Sequence, residues 1–513
     1  MRSTLRFIVP SLAWIVPFST MAAKPNIVLI LADDLGYGDV QINNPERGKI
    51  PTPHMDRIAE EGMRFTDAHS SSAVCSPSRY TLLTGRYHWR TRLQNGIVGV
   101  FGPPLIAAER RTVAGLLKGH GYRTAAIGKW HLGWDWPIPK GEMARFGPNQ
   151  QHQHRPADPK TVALWAEVFS KPIANGPTTR GFDTYFGTDV PNWPPFCFIE
   201  NDRTVGIPSE WLPASLLTKN LASRPGPALP GWKLEPILPA LGERAVGFIR
   251  ESARKKQPFF LYLPLTSPHT PISVNDEWKG RSGLGPYADF VMETDALVGR
   301  ILAALDQSGA ANETLVVLTS DNGCSPLADI PALQAKGHFP SGPLRGTKFD
   351  AWEGGHRVPF FVRWPGVVKP GGVSSQLVHH ADLMATVTEI LGDESNPAED
   401  SFSLLPLLRG TDSPVREHAI SQSANGLSAL RQGPWKLIFG PGSGGQSKGG
   451  DAMKAQLYHL GEDLAESRNL HDEKPEVVTR MTDLMEKLVR NGRSTPGEPR
   501  KNDVEVNWRK FMK

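Results

Sequence analysis

Asn26-Ile27-Val28-Leu29-Ile30-Leu31, followed at once by Ala32-Asp33-Asp34, is the stretch from which the architecture can be read. A strand with one wet face alternates apolar and polar residues, whereas an uninterrupted run predicts a strand buried on both faces of a parallel sheet. Thr124–Ile127, Phe259–Leu263 and Leu315–Leu318 have the same character. Between these runs lie helix-like segments at Met55–Glu61, Ala107–Gly119, Gly242–Ala253 and Tyr287–Leu305. Strands alternating with helices predict an α/β fold: a doubly wound, mostly parallel central sheet flanked by helices. Ligands of such sheets bind beyond the carboxyl ends of the strands, so the polar residues that follow each run are candidate site residues.

A chain of 513 residues exceeds what one hydrophobic core usually organises. The reading is a large α/β domain over 24–410 and a smaller C-terminal α+β domain from 411 to 513. The second rests on an antiparallel sheet (Leu427–Phe439, Leu457–His459) and a helix near Pro475–Arg490. Gly440–Gly450 (GPGSGGQSKGG) reads as a flexible low-complexity loop. Trp134–Pro230, rich in Pro, Gly, Trp and His, reads as long loops over the site. Residues 1–23 read as a signal peptide: Arg2 and Arg6, an apolar core from Phe7 to Phe18, then Ala22 and Ala23. Met21 departs from the small-residue rule for a cut after Ala23, and the apolar core is too short for a comfortable membrane span. Export to a periplasm or beyond the cell is the expectation. The net charge of +5 falls by the two leader arginines to 5 − 2 = +3. With no Lys/Arg run among aromatics, that bias excludes nucleic acid as a partner. Three cysteines make no disulfide framework; Cys197 and Cys324 either pair or stay as buried thiols, and nothing in the sequence places them together.

The first run ends in Asp33-Asp34 and the Leu315 run in Asp321-Asn322-Gly323. Three carboxylates and an amide oxygen form an all-oxygen set suited to a hard divalent cation. Gly128-Lys129-Trp130-His131-Leu132-Gly133 follows the Thr124 run, and Lys129 and His131 share a side if the backbone stays extended. Ser267-Pro268-His269 follows the Phe259 run. Further on stand Arg345-Gly346-Thr347-Lys348 and Glu353-Gly354-Gly355-His356-Arg357-Val358-Pro359. Cys75-Ser76-Pro77-Ser78-Arg79 runs into Leu82-Leu83-Thr84-Gly85-Arg86. Ser76 suits a helix N-cap, Pro77 the first helical position and Gly85 the residue past the end. Cys75 would then meet a helix N-terminus, where free N–H groups favour an anion. His379-His380 reads as the end of a strand before a helix at Asp382.

In this order, and with Leu430–Ile438 and Leu457–Leu460 near the end, these motifs resemble the formylglycine-dependent sulfatases of the arylsulfatase type, in the alkaline phosphatase superfamily. The resemblance implies that a maturation enzyme converts Cys75 to formylglycine, whose hydrate attacks sulfur. It implies one calcium ion held by Asp33, Asp34, Asp321, Asn322 and residue 75. Related two-zinc phosphatases typically need histidine where Asn322 stands. Arg79 and the calcium would favour the ionised nucleophile, and Lys129 and Lys348 would hold the sulfate oxygens. His269 would protonate the leaving alcohol, with Lys348 sharing that role. His131 would then take the proton of the second hydroxyl, expelling sulfate and regenerating the aldehyde. The implied activity is hydrolysis of sulfate monoesters. Trp134, Asp135, Trp136, His152, His154, Asn192, Trp193 and His356 are the candidates for contact with a sugar. An exo-acting enzyme on sulfated glycans, with 6-O-sulfated galactose or N-acetylgalactosamine units, is the expectation. A formylglycine-dependent phosphonate monoester or phosphodiester hydrolase is the nearest alternative. A non-catalytic secreted glycan-binding protein is the other, and it has no need of Lys129, His131, His269 and Lys348 together.

Overall fold

The chain is described by a computed structural model over residues 24–147, 157–213, 223–395, 398–449 and 454–512; the leader lies outside these ranges. β1 (Asn26–Ala32) is buried along its whole length. Its alternate side chains part to two cores, as the twofold repeat of a strand requires. Ile27, Leu29 and Leu31 pack with Leu82, Leu116 and Met384, whereas Val28 and Ile30 pack with Leu241, Ile249 and Val298. Each such side chain withdrawn from water contributes about 1.5–3 kcal/mol.

The other strands of the main sheet are β2 (Met63–Phe65), β3 (Arg123–Lys129), β4 (Thr184–Thr188), β5 (Ile199–Glu200), β6 (Arg203–Thr204), β7 (Phe259–Pro264), β8 (Thr314–Ser320), β9 (Phe360–Arg363) and β10 (Gly372–Ser374). Their spatial order is β10-β2-β9-β8-β1-β7-β3-β4-β5-β6. The five at the centre, β8-β1-β7-β3-β4, are mutually parallel, and β9 runs against both β8 and β2. Helices Pro53–Glu60, Ile237–Lys255 and Pro286–Gln307 cover one face; Cys75–Thr84, Val113–Gly119 and Asp382–Ile390 cover the other. The doubly wound expectation holds. Register does the rest: Ala32 lies opposite Ser320, so Asp33 and Asp321 leave neighbouring strands side by side.

A second, antiparallel sheet follows: β11 (His418–Gln422), β12 (Ser428–Gln432), β13 (Trp435–Ile438) and β14 (Gln456–His459). Helix Pro475–Arg490 lays Val477, Met481 and Met485 on Ile420, Leu430 and Leu437 of this sheet. Among the described residues no helix is long and apolar enough to cross a membrane.

Several local expectations are corrected. The helix expected from Ala107 starts at Val113, because the Thr112 hydroxyl accepts the Gly115 N–H (3.0 Å) and caps it there. The helix expected after Ser76 starts at Cys75 itself, with Val74 at the N-cap and no capping side chain; Ser76 lies inside it and does not cap it. Gly85 does end that helix, at φ 65°. The Trp134–Pro230 segment is not all loop: it holds helix Pro159–Phe169, capped by Asp158, and strand β4. The glycine-rich stretch after β13 is pinned as far as it is described. The Asp350 carboxylate accepts the N–H groups of Gln446 and Ser447, both at 3.1 Å. Cys197 and Cys324 are separate buried thiols.

Candidate active site

Asp33 and Asp34 leave β1, Asp321 and Asn322 leave β8, Lys129 closes β3 and His269 follows β7, so one sheet edge gathers them all. Cys75 opens the helix packed against that edge. Lys129 Nζ donates to Asp33 Oδ2 and Lys348 Nζ to Asp34 Oδ2, each at 2.7 Å. Arg79, fully enclosed, donates Nε and Nη2 to Asp321 Oδ2 (3.0 and 2.8 Å) and Nη1 to the Lys129 carbonyl (2.9 Å). Cys75 Sγ stands 3.7 Å from both Asp33 Oδ1 and Lys348 Nζ, and His269 Nε2 3.7 Å from Asp34 Oδ2. Three carboxylates thus face three cations in a pocket whose side chains are almost wholly withdrawn from water.

Burial alone would raise every carboxyl here, and local charge decides which one resists. Asp33 is held well below the usual range because Lys129, His269, Arg79 and Lys348 outweigh its burial. Asp321, buried and beside Asp33, is raised to about 6 despite Arg79. Burial pushes the Cys75 thiol up to about 12, with Lys129 and Lys348 opposing. His269 is lowered to about 4, first by burial. His131 is lowered well below its usual value by burial, then by Lys129 and Arg79, so its ring is neutral. Its Nε2 lies 3.1 Å from the Val98 carbonyl, which can only accept, so the proton sits on Nε2. That leaves Nδ1 bare, and it has no hydrogen-bond partner among the described residues.

The donor set fits a hard cation. Asn322 Nδ2 donates to Asp34 Oδ1 (2.8 Å), which turns its amide oxygen away, and that buried oxygen has no donor among the described residues. Ligand atoms of Asp33, Asp34, Cys75 and His269 lie within 4.8 Å of one another.

A family model described as Sulfatase matches residues 25–393. The chain belongs to the sulfatase family. It is 33% identical over 494 residues to an N-acetylgalactosamine-6-O-sulfatase of Bacteroides thetaiotaomicron, covering 91% of this chain and 93% of the relative. A solved structure described as a 6S-sulf, from the metabolism of multiple glycosaminoglycans by Bacteroides thetaiotaomicron, superposes with a TM-score of 0.74 at 30% identity. It covers 91% of this chain and 99% of that one. The structure of Ps i-CgsB in complex with k-i-k-neocarrahexaose follows at TM-score 0.67 and 26% identity, covering 93% and 95%. As a member of this family the chain is a sulfuric ester hydrolase.

Around the sulfatase centre the remaining candidates scatter. Trp193 meets the His131 ring edge-to-face, centroids 5.3 Å apart, and Asn192 is buried next to it. Trp134 is enclosed with its N–H on Asp189, and Trp136 packs on Phe101 and Phe169. Asp135 is exposed and pairs with Asn175. His356 belongs to a different buried group: its Nδ1 meets His69 Nδ1 (3.0 Å), and its Nε2 lies 3.2 Å from Lys436 Nζ. The same Lys436 Nζ lies between Glu353 and Glu466 (2.9 and 2.8 Å). His152 and His154 lie outside the described residues. His131 itself does not stay in extended backbone, since its φ is 52°. Sequence reasoning passed over Asp189, a buried carboxyl directly after β4, although its place at a strand's carboxyl end was a signal.

Proposed function

We propose that this sulfatase removes sulfate from carbohydrate esters at residue 75, after conversion of Cys75 to formylglycine, with one calcium ion beside it. The state of the thiol carries the reading. Burial pushes the Cys75 thiol up, so the unmodified side chain stays protonated at neutral pH and is a poor nucleophile. Formylglycine and the ion would supply an oxygen nucleophile, a second hydroxyl to expel sulfate, and a Lewis acid for the sulfate oxygens. Asp33, Asp34, Asp321, Asn322 and residue 75 would hold the ion. Charge balance supports this. Three carboxylates already match Arg79, Lys129 and Lys348, so a divalent cation leaves the pocket two charges positive. A sulfate ester and one ionised oxygen nucleophile together return it to neutrality.

The chain's own groups divide the work. Arg79 is fixed by Asp321 and cannot leave, so it stabilises negative charge at residue 75. Lys129 and Lys348 stand beside Cys75 as the cations for sulfate oxygens; Asp34 keeps Lys348 charged against its burial. His269, 3.7 Å from Asp34, is the acid for the leaving alcohol, with Lys348 sharing that role. His131, with Nδ1 bare, is the base for sulfate release.

The relatives named above support a sulfated glycan, and a 6-O-sulfated galactose or N-acetylgalactosamine unit at a chain end is the proposed substrate, with Trp193 as a sugar-facing ring. The leader supports export, and residues from 411 onward are read as the smaller domain. Mass spectrometry of the peptide spanning residue 75 tests the conversion, since aldehyde replaces CH₂SH with loss of H₂S and gain of oxygen. Matured protein is then assayed in parallel on sulfated sugars, phosphodiesters and phosphonate esters; a strong preference for phosphorus overturns the proposal.

A further inference from the structure

Asp189 is a buried carboxylate that the mechanism above does not use. Its Oδ1 accepts two N–H groups, from the His131 backbone and from Trp134 Nε1, each at 3.2 Å. Both donors belong to the turn that carries the release base. That turn is unusual: His131 has φ 52° and Gly133 φ 84°, and a histidine in left-handed backbone needs outside support. Asp189 supplies it from the first position after β4, whose last residue Thr188 lies opposite Lys129.

The support is itself supported. The Trp134 ring lies against Gly176, where a Cβ would come within 1.9 Å of Cζ3, so the indole cannot tilt away. Tyr185 lies against the same ring (centroids 5.4 Å) and donates its hydroxyl to the Gly128 and Thr188 carbonyls at 3.0 and 2.9 Å. Beyond the turn, the imidazole meets Val98 through Nε2 and Trp193 in an edge-to-face contact. If the backbone N–H of residue 131 loses its acceptor, the left-handed turn can relax and carry Nδ1 off its line.

We propose that Asp189 is a positioning residue: together with Trp134 it locks the left-handed turn that aims His131 Nδ1 at the hydroxyl whose proton it removes during sulfate release. The proposal rests on the assignment of His131 as that base. It predicts a split that general weakening of the site does not produce. Protonation of the leaving alcohol uses His269 and Lys348, on other elements, so alcohol release is spared while sulfate release slows.

The test follows both products of an aryl sulfate in a stopped-flow instrument, with matured wild type, Asp189→Ala, Asp189→Asn and Trp134→Phe. A displacement of about 1 Å costs on the order of 10²-fold in rate. Asp189→Ala is therefore expected to give a burst of one alcohol per enzyme, followed by sulfate release slowed by about that factor. Asp189→Asn keeps an oxygen acceptor and is expected to restore release most of the way. Trp134→Phe keeps the buried ring but loses the N–H, and is expected to shift the balance in the same direction, less strongly. A crystal structure of Asp189→Ala should show the His131 ring displaced and the carboxylate cluster in place. Equal slowing of both products without a burst, or release unchanged in both Asp189→Ala and Trp134→Phe, overturns the proposal. Wild-type protein that fails to release sulfate at all would instead overturn the mechanism on which it rests.

Discussion

Replacing Arg90 by methionine should destabilise the protein by about 3–5 kcal/mol, the usual cost of removing one partner from an enclosed ion pair. Arg90 and Asp400 are both fully buried. The guanidinium donates Nε and Nη2 to the two Asp400 oxygens at 2.9 and 2.8 Å, and lies over Trp89 at 4.3 Å. Its remaining nitrogen reaches the Leu488 carbonyl (3.2 Å) and Asn502 (3.0 Å), so it ties the C-terminal helix to the segment that follows helix Cys75–Thr84. Methionine fills most of the volume and leaves Asp400 with two donors, the Tyr87 N–H and the Ser494 hydroxyl, both at or below 2.8 Å. In the wild type, burial raises the Asp400 carboxyl but Arg90 outweighs it, and the net position is below the usual range. A depressed carboxyl contributes stability above its unfolded value and loses it on acidification. Without Arg90 burial wins, the carboxyl rises, and the variant regains stability as it takes up a proton. Urea unfolding followed by tryptophan fluorescence should therefore show a large deficit at pH 8 that shrinks toward pH 5. Arg90→Met/Asp400→Asn should be more stable at pH 8 than Arg90→Met alone. A deficit independent of pH, or a double variant no better than the single one, refutes the account.

Cys75→Ser should abolish turnover of sulfate esters and leave the melting temperature unchanged, because serine cannot supply a second hydroxyl; steady turnover by that variant contradicts the proposed release step. Gly128→Ala places a Cβ 1.8 Å from the Pro264 carbonyl oxygen at φ 140°, so a loss above about 4 kcal/mol and insoluble expression are expected; a soluble variant with normal melting would argue against the β3–β7 approach. Asp295 accepts the His54 and Met55 N–H groups (3.1 and 2.8 Å) in place of a helix cap, and burial raises it to about 7. Its folded value exceeds the unfolded one, so its contribution is full at low pH and lost as pH rises through about 7. Asp295→Asn should then gain on the order of a few kcal/mol relative to wild type at pH 8 over pH 5, and a constant difference across that range refutes it. Chelation should lower the melting temperature together with activity, since a metal at about 1,000 times its dissociation constant stabilises by about 4 kcal/mol; melting that ignores both chelator and calcium contradicts the metal assignment.

What could be read from sequence follows from what burial writes into it. β1 is covered on both faces, so its residues carry no alternation, and the aspartates at its end stand out by contrast. The same logic located Asp321 and Asn322, although 287 positions separate Asp34 from Asp321, whose carboxylate accepts its N–H. It failed at Asp189 because β4 is five residues set among prolines, glycines and tryptophans, and no apolar run announces it. It failed at His131 because side-by-side placement of Lys129 and His131 assumed extended backbone, and a left-handed residue leaves no mark in a sequence where histidine stands instead of glycine. His356 was visible as part of a motif, but its neighbours His69 and Lys436 come from remote segments, and only the fold shows that the motif faces them.

Composition misled most clearly at the glycine-rich stretch after β13, and the reason bears on how the nucleophile is held. Glycine there does not mean slack. Gly445 lies so near the Phe349 carbonyl that a Cβ would come within 2.4 Å, which allows the stretch to close on the segment carrying Lys348. The same segment is bonded from both sides: Phe349 N–H donates to the Ala73 carbonyl (2.8 Å), and its own carbonyl accepts from Ala424 (2.9 Å). β11 then grips the approach to Cys75, with Ala73 N–H on the Gln422 carbonyl (2.8 Å) and Gln422 N–H on the Ser71 carbonyl (3.0 Å). Positions 75 and 348, both in the proposed machinery, are thus set relative to each other by backbone bonds, one direct between their neighbours Ala73 and Phe349 and others to β11. Backbone bonds carry no side-chain identity, so no motif could have announced them. A substitution that loosens β11 should accordingly reach the chemistry at residue 75 without touching any group that meets the substrate.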